Sequence, residues 1–180
     1  MQLHLKNVRL AFPTIWEPKQ VNGQGEPSYS AVLLMEQKDP QVDAIENAIA
    51  QAGAARWGEK HKSVIASLRG ADKVCLHNGD NKAEYVGFPG MWYLSARSKT
   101  APTIVDKDRT LLTAKTGRPY AGCYVNAIVE IWAQDNNFGK RVNCSLKGLQ
   151  FLRDGEAFSG TPPASEDDFD DCSVDAGDLA

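Results

Sequence analysis

Residues 120–152, YAGCYVNAIVEIWAQDNNFGKRVNCSLKGLQFL, decide the fold. Cys123, Val125, Ala127, Val129 and Ile131 recur at every second position, so a strand over Tyr120–Trp132 turns them all to one face. Asp135-Asn136-Asn137-Phe138-Gly139 has the polar and glycine residues that a hairpin turn selects. A second strand is expected over Arg141–Leu152, kinked at Gly148, with Asp154-Gly155 closing the sheet. Curved strands of this length, joined by a hairpin, suit a small antiparallel barrel.

Upstream, Met91–Ser98 alternates cleanly: Trp92, Leu94 and Ala96 face one way, Tyr93, Ser95 and Arg97 the other, with Lys99 just beyond. Leu3 and Leu5, then Val8, Leu10 and Phe12, give a first strand whose phase changes near Lys6-Asn7, the mark of a bulge. Pro13–Pro27 is rich in Pro, Gly and polar residues and reads as a long loop that carries Trp16. Tyr29–Met35 is a second, mostly apolar strand. A helix follows: Asp39 caps it, Pro40 suits its first position, and Val42, Ile45, Ile49 and Ala52 keep helical spacing towards Trp57. Gly58–Gly70 reads as basic and irregular, Lys73–His77 and Pro102–Val105 as short strands, and Thr113–Pro119 as a basic loop. The expectation is a mainly β domain, an OB-fold-like five-stranded antiparallel barrel with one helix between its second and third strands. An antiparallel sandwich meets the same pattern.

The chain of 180 residues fits one domain, 1–160, and an appendage, 161–180. The appendage, TPPASEDDFDDCSVDAGDLA, combines features that oppose folding: prolines at its start, seven carboxylates, no Lys or Arg and one aromatic, Phe169. It is expected to be a disordered acidic tail. Without it the net charge of -3 becomes a surplus of 20 basic over 16 acidic residues, so a mildly basic body is tethered to its own polyanion. No apolar run approaches the roughly 20 residues of a membrane span, and the start, MQLHLKNVRLAF, has no signal-peptide pattern. Cys75, Cys123, Cys144 and Cys172 lie far apart without a C-x-x-C pair, as isolated thiols of a reducing compartment do.

An enzyme is not expected. G-x-S-x-G, Walker and H-E-x-x-H motifs are missing from the sequence. Cys75 and His77 make half a zinc site at most, and Asp106 and Asp108 are interleaved with Lys107 and Arg109 as in a solvated turn, so neither a metal nor another cofactor is expected. Binding of single-stranded nucleic acid fits better, because it needs cations that track phosphates and rings on which bases stack. The candidates are Tyr93, Arg97 and Lys99 on one strand face, Arg109, Lys115, Arg118 and Tyr120 beyond it, and Trp16 and Phe138 in polar loops. Asp167-Asp168-Phe169-Asp170-Asp171 would place an aromatic inside a carboxylate cluster, suited to a basic-rimmed pocket on a partner or to the body's own groove. A non-enzymatic adaptor or structural protein that binds another protein through a sheet edge is the alternative. The long strands of 120–152 also offer edges that a homodimer would cover.

Residues 85–106, YVGFPGMWYLSARSKTAPTIVD, and 120–132, YAGCYVNAIVEIW, resemble a family of bacteriophage single-stranded DNA-binding proteins, which is similar in fold to the gene 2.5-type podophage proteins. The resemblance covers most of 1–155, and Tyr120-Ala121-Gly122-Cys123-Tyr124-Val125 is its most recognisable block. It implies an OB-fold, sequence-independent binding of single-stranded DNA, and work in phage replication, recombination and repair in the cytoplasm of the infected host. It also implies an acidic tail that restrains DNA binding and recruits replication proteins. The DDFDD segment is similar to tails of bacterial single-strand binding proteins, although Phe169 here precedes the end by eleven residues.

Overall fold

A computed structural model describes residues 1–158 together with Phe169, Asp170 and Cys172. The expected disorder of 161–180, and the tail acids Asp167, Asp168 and Asp171, lie outside the described residues.

The elements are β1 (Gln2–Val21), β2 (Gln24–Glu36), α1 (Pro40–Trp57), α2 (His61–Gly70), β3 (Leu76–Asn78), β4 (Met91–Ser98), β5 (Thr103–Val105), β6 (Tyr124–Asn136) and β7 (Gly139–Arg153). They form one sheet in the order β3-β4-β2-β1-β6-β7-β5, and β4 pairs again with β7 where Arg97 meets Ser145. That second pairing closes β1, β2, β4, β7 and β6 into a five-stranded barrel, as the hairpin pattern led one to expect. The barrel is not wholly antiparallel: β4 and β7 run parallel, as do β5 and β7. Strand directions cannot alternate around an odd ring, so closing five strands requires at least one parallel pair.

The bulge expected near Lys6-Asn7 is present. The register with β6 shifts between Leu5 and Val8, and Asn7 takes φ 53° while its N–H donates to Asn126 Oδ1 at 3.0 Å. β7 also slips near its expected kink: Ile128 faces Gly148 but Val129 faces Leu146, which leaves Lys147 unpaired in the ladder. The interior is filled by the alternating faces of these strands, with Leu10, Leu33, Leu94, Val125, Val129 and Ile131 almost without exposure. α1 lays Val42, Ile45, Ala48 and Ile49 on that core, and its cap is the one read from sequence, Asp39 accepting from Gln41 N–H at 2.9 Å. Burying such side chains contributes on the order of 1.5–3 kcal/mol each, which outweighs any single cap or surface pair.

Two stretches differ from the sequence reading. Pro13–Pro27 is not a loop: β1 and β2 run through it as a hairpin arm that turns at Asn22-Gly23, and Trp16 therefore sits in a strand. The prolines are tolerated because the ladder is irregular there, with paired residues at Ala11, Thr14, Lys19 and Val21 only, so Pro13 and Pro18 fall in the gaps. Gly58–Gly70 is not irregular either, since α2 occupies most of it and buries Ile65 and Leu68. Gly53 lets the two helices approach this closely, because a Cβ there would lie 2.6 Å from Ile65 Cδ1. The strand edges of 120–152 are taken up within the chain over part of their length, β6 by β1 from Tyr124 to Glu130 and β7 by β4 at Ser145 and by β5 from Gly148 to Gln150.

Candidate nucleic-acid interface

A groove of about 1360 Å³ crosses one side of the barrel between the β1–β2 arm and the β6–β7 hairpin. The arm contributes Phe12, Val21, Gln24 and Glu26; β4 and its exit contribute Tyr93, Ser95, Arg97 and Lys99. Asp72, His77, Lys82, Tyr85 and Phe88 come from the segments before β4, and Trp132, Gln134, Phe138, Arg141 and Asn143 from the β6–β7 hairpin.

Strand alternation explains the β4 wall. Leu94 and Ala96 are buried, while Ser95 and Arg97 turn to the groove as expected. Tyr93 shares that side but is only 7% exposed, which corrects the expectation of an open face. It is covered because Phe88 packs on it with ring centroids 5.2 Å apart, and His77 stacks on it at 4.7 Å and 18°. Phe138 is 90% exposed at the hairpin tip, where its N–H donates to Asn136 Oδ1. Trp132 is half in water, its indole N–H fixed on Ser145 Oγ at 2.9 Å. Among the described residues Arg97, Arg141 and Lys82 have no carboxylate within ion-pair distance, whereas Lys99 is paired with Glu26 at 2.6 Å. The groove thus presents unpaired cations beside exposed rings.

The other residues singled out from sequence are not brought there. Trp16 is half-buried and packs on the main core. Arg109 and Lys115 are exposed in the segment after β5. Arg118 is held by Asp106 at 2.9 Å with its guanidinium 5.7 Å from the Phe151 ring, and this pairing keeps the Asp106 carboxyl below its ordinary value. The Tyr120 hydroxyl donates to Asp154 Oδ1 at 2.7 Å and accepts from Gly155 N–H at 3.2 Å; burial, then the Asp154 bond, pushes its phenol up to about 12. Phe169 is 72% exposed, with Asp170 exposed beside it.

Phe12, Tyr85, Trp132, Lys82 and Arg141 line the groove without having been singled out. For Trp132 a signal existed: it follows Ile131, so period-two alternation turns it outward. For Phe12 the alternation with Leu10 pointed the opposite way, towards the core.

His77 gives the groove floor a pH dependence. Burial holds its imidazole below the ordinary 6.5, helped by Lys82 and Arg141 and opposed by Asp72. The unfolded chain therefore takes up a proton that the folded chain refuses, and stability falls as pH drops below about 6.5 towards the folded value. Urea unfolding of wild type and His77→Gln at about pH 7.5 and about pH 5.5 should show a smaller loss in the variant; equal losses would mean that His77 protonates as readily when folded.

Residues 1–179 match the family described as the single-stranded DNA-binding protein of Enterobacter phage Enc34. The chain belongs to the Enc34 single-stranded DNA-binding protein family. The p50 protein of Acyrthosiphon pisum secondary endosymbiont phage 1 is 45% identical over 177 residues, covering 97% of this chain and 95% of that one. The Enc34 single-stranded DNA-binding protein, solved in complex with single-stranded DNA, superposes with a TM-score of 0.75 at 26% identity, covering 88% of this chain and 89% of that one. The single-stranded DNA-binding protein gp2.5 of bacteriophage T7 has a TM-score of 0.58 at 11% identity over 91% of this chain and 98% of that one, a likeness of fold. The family resemblance carried by residues 85–106 and 120–132 is thereby confirmed.

Proposed function

We propose that this protein binds single-stranded DNA without base preference in the groove between its two hairpin arms. The observation that carries the reading is the coincidence, in one groove, of Arg97, Arg141 and Lys82, unpaired among the described residues, with exposed Phe138 and Trp132, in a chain whose family relative was solved holding single-stranded DNA. The cations meet phosphates, and the rings stack on bases whatever their identity, since every base has a π face. The groove's walls support a single strand: it is bounded on both sides by β-hairpins and floored by β4.

The reading extends to phage DNA replication, recombination and repair in the host cytoplasm, where exposed single strands must be coated. The seven carboxylates of 161–180 would compete with DNA for the basic groove, and Phe169 among them would engage replication or recombination partners. Titration with oligo-dT should quench tryptophan fluorescence, Trp132 being in the groove, and the affinity should fall steeply with salt. Equal affinity for single and double strands would overturn the assignment. Removing 161–180 should tighten binding, and unchanged affinity would dispose of the competition while leaving recruitment to a partner pulldown.

A further inference from the structure

The ring of Phe12 is on the wrong side of its strand. Regular alternation along β1 would place it with Leu10, inside the barrel. Pro13 follows it, and a residue before proline is biased to extended backbone with negative φ. Phe12 instead has φ 45°, in the left-handed region that bulky residues rarely enter. The reversal coincides with a slip in the β1–β2 register between Ala11 and Thr14. Its result is local: Leu10 and Ala11 are buried to 0% and 1% exposure, yet Phe12 is 53% exposed.

The side to which the ring is sent is the groove. It meets Tyr85 edge-on at 5.0 Å and 76°, and Phe88 at 5.9 Å; Tyr85 and Phe88 are themselves 5.5 Å apart. Phe88 is buried on Tyr93, so the rings step outward from the barrel wall, with Tyr85 and Phe12 reaching water. Core packing does not account for this, because a buried Phe12 would have needed only the backbone its sequence favours. Strained backbone that exposes an aromatic ring, braced from behind by other rings, marks a place where the ring is used.

We propose that Phe12 is a base-stacking residue of the groove, its ring held by Tyr85 and Phe88 as a platform for a nucleobase of single-stranded DNA. The proposal rests on the groove being the DNA site. Phe12 and Phe138 then supply stacking faces from two separate hairpins, β1–β2 and β6–β7, with the arginines of β4 and β7 available to the phosphates between bases.

The test uses the full-length chain, oligo-dT, and the variants Phe12→Gly and Phe12→Trp. Glycine removes the ring and accepts the positive φ, so Phe12→Gly should melt no lower than wild type. Its affinity for oligo-dT should fall about tenfold, with the slope of log K against log salt unchanged because every phosphate keeps its cation. Phe12→Trp should bind within about twofold of wild type and show additional quenching at saturation, as an indole under a base does. Affinity of Phe12→Gly within about twofold of wild type, or Phe12→Trp without added quenching, overturns the proposal while leaving the groove assignment in place. If Phe12→Gly melts lower, the Phe12→Trp quenching decides. Wild type that fails to bind oligo-dT overturns the groove assignment itself.

Discussion

An Arg97→Ala/Arg141→Ala double variant is expected to bind oligo-dT at least about a hundredfold more weakly than wild type at moderate salt, since a hydrogen bond to a charged group contributes about 1.5–3 kcal/mol and each arginine would supply at least one. The two side chains come from different strands, β4 and β7, and both line the groove as exposed cations without a carboxylate partner among the described residues. No ion pair among the described residues depends on them, so the melting temperature should be unchanged. Each phosphate left without its arginine takes about 0.7 from the salt slope on a single strand, so the double variant should be shallower by about 1.4. Lys99→Ala is the internal comparison: its ammonium is already engaged by Glu26, and the loss of affinity should be smaller. Weaker binding with an unchanged slope would mean that the arginines act on something other than phosphate.

Gly122→Ala should cost about 3 kcal/mol of stability, about 6–12 °C in Tm for a domain of this size. Gly122 has φ 108°, outside the range open to side-chain-bearing residues, and a Cβ there would lie 2.2 Å from the Glu156 carbonyl oxygen. The obstacle is backbone on both sides, so no rotamer change relieves it. What is held at this point is the strap Arg153–Phe158, which crosses the start of β6. Arg9 donates to the Gly122 carbonyl at 3.0 Å and to the Glu156 carbonyl at 2.6 Å, and its guanidinium stacks 4.2 Å from the Phe158 ring. Phe158 N–H donates to the Ala121 carbonyl, and the Phe158 ring fills the space over Gly87. Thermal melts with amide exchange of Phe158 check the expectation; an unchanged Tm with fast Phe158 exchange would show that the strap detaches without weakening the barrel.

The barrel was legible because period-two alternation in 123–131 and 91–98 leaves one face with no destination but a core. α1 was legible because Asp39-Pro40 fixes its start. α2 was not: only Val64, Ile65 and Leu68 mark its buried side, and what makes room for them is Gly53 on another helix. The β1–β2 arm was hidden by its prolines, whose tolerance depends on where the ladder slips. In the groove, Arg97 and Phe138 follow from strand phase and turn position. Arg118 and Tyr120 look equally available in sequence, but Asp106 and Asp154, brought in by folding, take them into the structure. Tyr93 has the right phase and is then roofed by Phe88 and His77 from a segment whose path the sequence does not declare. Phe12 is the extreme case, because a single backbone angle decides its side.

The closure of the barrel has a mechanical consequence. β2 and β4 share eight paired positions and β6 and β7 thirteen, but β4 and β7 meet in register only at Arg97 and Ser145. Beyond that point the two strands diverge, and the Lys73–Cys75 segment is wedged between them: Ser95 N–H donates to the Cys75 carbonyl, Cys75 N–H to that of Val142, and Val142 N–H to that of Lys73. The ring is therefore a split ring with one short clasp and an inserted shim, whose Val74 and Cys75 are buried in the core. Spreading it there breaks fewer hydrogen bonds than anywhere else on its circumference, and the clasp residue, Arg97, is one of the groove's own cations. The compliant part of the barrel is the part that faces the groove.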